Sequence, residues 1–202
     1  MTTGHLATPP DSPAAQALYA EDLHDLGFVM NVSRLWAYHP ELVTDLFTLM
    51  GQALTGQGFS HQQVGVVVAA CASTIGDSYC SLAWGTKLAA AASDVTAAGV
   101  LAGDDSALPM PDRALAGWVR QLASAPNSTT PADLDRLRAA GWADQQVFAI
   151  TVYAALRIAF STVNDALGIG PDDAFHDRAP AAVRAAVDYG RAIDAAHAPS
   201  HA

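Results

Sequence analysis

Apolar positions recur along this chain at helical rather than strand spacing, and turn signals separate one periodic stretch from the next. Residues 14–26 carry Leu18, Leu23 and Leu26 and stop at Gly27. Residues 31–38 carry Val32, Leu35 and Trp36. Pro40 suits the first turn of a further helix over 41–54, with Leu42, Leu46, Phe47 and Met50 as its expected buried positions. Gly51, Gly56 and Gly58 mark the turn that follows. Ser60-His61-Gln62-Gln63 is a capping box that opens residues 64–75. Val64-Gly65-Val66-Val67-Val68 has strand composition, but the cap, the alanines after it and the length favour a buried helix. The next helix opens at Asp77 and runs to about residue 92 or 95. Residues 99–111 read as a loop, and 112–123 as a helix carrying Leu115, Trp118, Val119 and Leu122. Thr130-Pro131-Ala132-Asp133 starts a short helix that ends at Gly141. The longest helix opens at Ala143 or Asp144, passes through Val147, Ile150, Tyr153, Leu156, Phe160 and Val163, and closes at Gly168. Residues 171–180 read as a linker and 181–196 as a last helix. No strand pair emerges, so the expected fold is all-α.

The 202 residues allow one domain with a real core or two small helical lobes. We expect a flexible Pro-rich arm over 1–13 and a helical domain over 14–173, with lobes at about 14–98 and 108–173. A C-terminal helix and tail would fill 174–202. Only 15% of residues are charged and the net charge is −10, which disfavours nucleic acid, since phosphate binding needs a basic face. The low charge content suggests surface covered in an oligomer. No basic cluster marks a membrane site, and the longest apolar run, 64–72, is far too short to span a bilayer. Residues 1–12 lack the basic and apolar regions of a signal peptide, and two cysteines make no disulfide framework. The expectation is a cytoplasmic protein.

Chemistry concentrates around Ile75-Gly76-Asp77-Ser78-Tyr79-Cys80. Asp77 reads as an N-cap, which puts Cys80 in a helix first turn, where free N–H groups and the helix dipole favour thiolate. Asp77 pulls the other way, because a carboxylate raises a thiol pKa. Lys87 would offset that if it bent back along the helix. Cys80, Trp84 and Lys87 are spaced i, i+4, i+7 and share one face. Trp84 suits a flat wall for an apolar ligand, and Tyr79 is a candidate proton donor. Cys71 reads as a small buried residue unless a kink at Gly76 brings it to Cys80. His24, His39 and His61 pair with no other ligand type at i, i+4, so no metal is expected, and no phosphate loop or other cofactor motif is present.

The segments Leu26 to Val32, Ala37 to Leu42, Ser60 to Lys87, Leu134 to Trp142 and Phe160 to Asp172 resemble the carboxymuconolactone decarboxylase superfamily, in its alkylhydroperoxidase-D-like, peroxidase-related branch. The resemblance covers roughly residues 23–173. It implies an all-helical subunit that forms a homo-oligomer, a trimer or larger. Peroxidase members of that group carry a glutamate, then Cys-x-x-Cys-x-x-x-His at the next helix start. The attacking cysteine matches Cys80. The resolving cysteine falls on Asp77, the histidine on Trp84 or Ala83, and the glutamate near Gly65, with Gln62 and Gln63 close by. The resemblance therefore implies a single-cysteine thiol peroxidase or oxidoreductase resolved by an external thiol, its proton relay rebuilt from Asp77, Tyr79 or Lys87. Two alternatives stand beside it. One is a non-catalytic oligomer that keeps the cavity as a small-molecule pocket or scaffold. The other is a decarboxylase-type lyase that would use Lys87 for a substrate carboxylate.

Overall fold

The structure is a computed structural model that describes residues 4–193. Among the described residues there are helices and no strands. The chain begins with α1 (Pro13–Leu26), α2 (Asn31–Trp36) and α3 (Pro40–Leu54), then α4 (His61–Ile75), α5 (Ser78–Ala91) and α6 (Asp94–Leu101). It continues through α7 (Met110–Ser124), a 3-10 turn at Pro126–Ser128, α8 (Pro131–Ala139) and α9 (Asp144–Ala166), and closes with the short α10 (Phe175–Arg178) and α11 (Ala181–Ala186).

Helix α4 is the axis of the bundle. It packs against α5, α6, α7 and α9, and its run from Gly65 to Ala72 is entirely buried. The strand-like valines are therefore a helix enclosed on all sides, which is the one setting where a helix has no polar face. Its start is fixed by the predicted box: Ser60 Oγ accepts the Gln63 N–H at 3.2 Å, and Gln63 Oε1 accepts the Ser60 N–H at 3.0 Å. Its end is fixed by Gly76 at φ 78°, a left-handed conformation that costs a glycine little. The chain then turns back into α5. A Cβ at Gly65 would stand only 3.3 Å from Leu88 Cβ, so the glycine lets α4 and α5 approach closely.

Helix α9 crosses the bundle against α3, α4 and α7. It is long and apolar enough to cross a membrane, yet Val147, Ile150, Tyr153, Ala154 and Phe160 are buried within the protein. The stretches before and after residue 100 meet through α4, α7 and α9.

Several boundaries differ from the sequence expectation. The helix after Asp77 stops at Ala91, because Ser93 starts a new one: its hydroxyl accepts the Thr96 N–H at 3.1 Å. That new helix, α6, occupies the first part of the expected 99–111 loop. The expected linker 171–180 contains α10. The expected helix 181–196 ends at Ala186, and residues 194–196 lie outside the described residues. From there the chain runs back over the start of α5, where Ser78 Oγ donates to the Arg191 carbonyl at 2.8 Å and accepts the Arg191 N–H at 3.0 Å. On α3, Val43 and Met50 are buried, whereas Leu42 (52% exposed) and Phe47 (45%) are not. Val43 and Met50 are two turns apart and define the buried stripe, which rotates Leu42 off it; Phe47 shares that face and sets its ring 5.3 Å from Phe160 while keeping an exposed edge.

Candidate functional site

The N-terminus of α5 is the centre of the site. Asp77 caps it: Oδ1 accepts the Cys80 N–H at 2.9 Å. Asp77 is wholly buried, and Cys80 is only 2% exposed. Across from them, α9 supplies two side chains one turn apart. Arg157 Nη2 donates to Cys80 Sγ at 3.6 Å, and Ser161 Oγ donates to the same sulfur at 3.7 Å. The thiol thus lies between a carboxylate on its own helix turn and a guanidinium and hydroxyl from another helix.

Arg157 is the unusual member. It is 4% exposed, and no carboxylate lies within ion-pair distance of it among the described residues. Its Nη1 reaches only Met50 Sδ at 4.0 Å, and Nε has no partner. Its other neighbours are ring faces: Trp84 at 5.2 Å, Phe160 at 5.4 Å and Phe47 at 5.9 Å. Cation–π contact compensates part of the lost hydration but not all of it. The buried side-chain polar atoms without a hydrogen bond among the described residues are Asp77 Oδ2, Arg157 Nε and Asn164 Nδ2. Asn164 is on the α9 face that carries Arg157 and Ser161, and its Oδ1 accepts the Trp36 Nε1–H at 2.8 Å. Orphaned buried groups are rare, and two of the three, Asp77 Oδ2 and Arg157 Nε, belong to side chains that contact Cys80.

Burial pushes the Cys80 thiol well above its ordinary pKa; the Asp77 charge adds to this, while Arg157 and the Ser161 hydroxyl pull it back down. Cys71, on α4, is also buried and free, and burial pushes it up to about 12.

Of the residues singled out from sequence, Asp77 and Cys80 stand together. Lys87 Nζ sits over the Trp84 ring at 4.4 Å, and desolvation and then the Arg157 charge lower its pKa. Trp84 lies between the cysteine turn and Lys87 and contacts Arg157 through its ring face. Tyr79 points elsewhere: its hydroxyl donates to Asp172 Oδ2 at 2.5 Å and its ring meets the Phe175 ring edge-on. Asp172 also accepts the Asn31 N–H at 2.8 Å, so Tyr79 ties α5 to the start of α2. Arg157 and Ser161 were missed by sequence reasoning. A signal for Arg157 existed, since it is the one lysine or arginine between Arg138 and Arg178 and sits mid-helix among apolar residues. Ser161 had none. Among the described residues no group of three His, Cys, Asp or Glu side chains is placed to hold a metal ion.

The all-helical fold of this chain is that of the alkylhydroperoxidase-D-like proteins. It superposes on the alkylhydroperoxidase AhpD core of an uncharacterized peroxidase-related protein from Ralstonia eutropha JMP134, with TM-score 0.77 and 20% identity over 87% of this chain and 95% of that one. A second peroxidase-related protein, from Silicibacter sp. TM1040, gives TM-score 0.78 and 17% identity over 88% and 96%. The debrominase Bmp8, as a cysteine-to-alanine variant in complex with 2,3,4-tribromopyrrole, gives TM-score 0.65 and 16% identity over 91% and 96%. No family model and no curated protein matches the sequence. The likeness is one of fold.

Proposed function

We propose that this protein is a single-cysteine thiol oxidoreductase acting on a hydroperoxide. The observation that carries it is the buried Arg157 guanidinium, which faces Cys80 Sγ at 3.6 Å and has no carboxylate partner among the described residues. A guanidinium stays charged at any working pH. A thiolate at Cys80 would be the missing counter-ion, so Arg157 gains an ionic partner when the thiol loses its proton. Asp77 is the group placed to take that proton. The Cys80 sulfur then attacks the terminal peroxide oxygen: an S–O bond forms, the O–O bond breaks, and the alcohol leaves with the proton held by Asp77. Cys80 becomes a sulfenic acid. Two equivalents of an external thiol return it to the thiol, the first forming a mixed disulfide with loss of water and the second displacing Cys80. An external thiol takes the part of the resolving cysteine, whose place Asp77 occupies. Lys87 and Trp84 border the group and would contact substrate or its approach. The reading includes a cytoplasmic homo-oligomer.

A second reading is a non-catalytic ligand-binding protein, favoured by the upward-shifted thiol. The two separate in one experiment. Reduced protein is given hydroperoxide and a generic thiol donor, beside Cys80→Ser, with sulfenic acid trapped in parallel. Turnover and trapping that disappear in Cys80→Ser are expected. A Cys80 that stays reduced under excess peroxide would leave the binding reading.

A further inference from the structure

A cleft of about 490 Å³ opens between α1, α2, α3 and α9, walled by Leu18, Met30, Trp36, Val43, Phe47 and Phe160. That volume falls in the range of small-molecule pockets, and its walls are mainly apolar and aromatic. The rings form a continuous surface. Trp36 stacks on Phe160 at 5.6 Å, and Phe47 meets Phe160 at 5.3 Å with a tilt of 59°. The same two phenylalanines are also the ring faces over the Arg157 guanidinium. The cleft and the cysteine group therefore share one partition, with Phe47 and Phe160 between the open volume and Arg157, and Arg157 against Cys80. The halves of that partition are unequal. Phe160 is 4% exposed and held in the core, whereas Phe47 is 45% exposed, with solvent on one side of its ring.

We infer that this cleft is a ligand pocket for a compact, apolar, planar molecule with one hydrogen-bond-accepting end, and that Phe47 is the gate between the pocket and Cys80. The ring of such a ligand lies on Trp36 and Phe160. Its accepting end reaches the unpartnered Arg157 Nε once Phe47 has swung aside. Binding in the cleft stands without the peroxidase reading; Phe47 as a gate to a working cysteine deepens that reading and rests on it.

The experiment uses probes that do not require peroxidase activity. 2-Naphthol binding is measured calorimetrically on the full chain and on Thr48→Tyr, which places bulk in the cleft from an exposed position outside the core. Alkylation of Cys80 by N-phenylmaleimide is followed by peptide mass spectrometry in the full chain and in Phe47→Ala, with Cys71 in the same samples as the internal control. We expect 2-naphthol to bind and Thr48→Tyr to weaken it at least tenfold. Phe47→Ala should accelerate Cys80 alkylation at least tenfold and leave Cys71 unchanged. Naphthol binding that ignores Thr48→Tyr, or fails altogether, overturns the pocket. Equal acceleration at both cysteines means loosening of the fold and overturns the gate, as does an unchanged Cys80 rate. If Thr48→Tyr instead splits an oligomer, the cleft belongs to a second copy of the chain and the inference falls. Peroxide turnover in the wild type is scored separately, so an inert Cys80 would sink the peroxidase reading without touching these results.

Discussion

At the scale of single residues, Arg157 shows a conflict between stability and chemistry. A buried guanidinium without an ionic partner costs the fold, and apolar replacements of buried charges are often neutral or stabilising. Arg157→Met should raise unfolding stability by ~1–3 kcal/mol in a denaturant titration. It should also slow Cys80 alkylation, because the thiolate loses its counter-charge. The pH dependence follows from the same environment. Cys80 is pushed up by burial and by Asp77, so its alkylation rate should climb log-linearly between about pH 7 and 9 without a plateau. A plateau near neutrality would show that Arg157 outweighs both. Asp165 offers a second titration. Burial, then the Asp77 charge, raises it to about 6, against the pull of Arg191. Its folded pKa lies above its unfolded value, so its stabilising contribution is present at low pH and lost as pH rises through about 6. Asp165→Asn should therefore be more stable than wild type at pH 7–8, on the order of 1 kcal/mol once solvent screening of this half-exposed group is allowed for. The gap should close below roughly pH 4. Melting curves at the two pH values test the sign.

At the scale of elements, the site depends on how closely α5 packs. Gly85 lies one turn beyond Ser81 on that helix. A Cβ there would stand 2.7 Å from Leu101 Cδ1 on α6 and 2.9 Å from Val183 Cγ1 on α11. Both neighbours are fully or almost fully buried, so neither can yield cheaply. Gly85→Ala should cost ~1–3 kcal/mol of stability, read by chemical denaturation, although alanine is the better helix former. A neutral or stabilising result would mean that α6 and α11 are loosely held. The C-terminal segment reinforces α5 from the same side through the Ser78–Arg191 pair and the Tyr189 hydroxyl, which donates to Ser81 Oγ at 3.0 Å.

At the scale of the whole molecule, α3 leaves Leu42, Phe47 and Leu49 half-exposed. Leu42 and Leu49 are two turns apart on one face, which would be costly on a lone subunit and natural at a subunit contact. The proposed homo-oligomer predicts that Leu42→Glu with Leu49→Glu shifts the protein to monomer in sedimentation velocity while preserving helicity. A wild type that is already monomeric at high concentration would refute it.

What the sequence determined by itself was local. Caps and glycines wrote most helix starts and stops: Ser60 with Gln63, Asp77, Thr130 with Pro131, Gly27, Gly76 and Gly141 all sit where they were expected, because these signals act within a few residues. The quoted segments also sufficed to place the fold. Ser93 shows the limit of local signals: a cap inside an alanine-rich run reads as continuation until the chain is seen to turn. The cysteine turn was legible for the same local reason, as Asp77 and Cys80 are three residues apart. Its other half was not. Arg157 and Ser161 reach Cys80 from 77 and 81 positions away, and no periodicity reports which turn of a long helix will face which turn of another. The partner of Tyr79 was hidden for the matching reason, since Asp172 is 93 residues distant. Packing of α9 across α4 decided these pairings. It set a buried cation against a buried thiol, the contact on which the proposed chemistry rests.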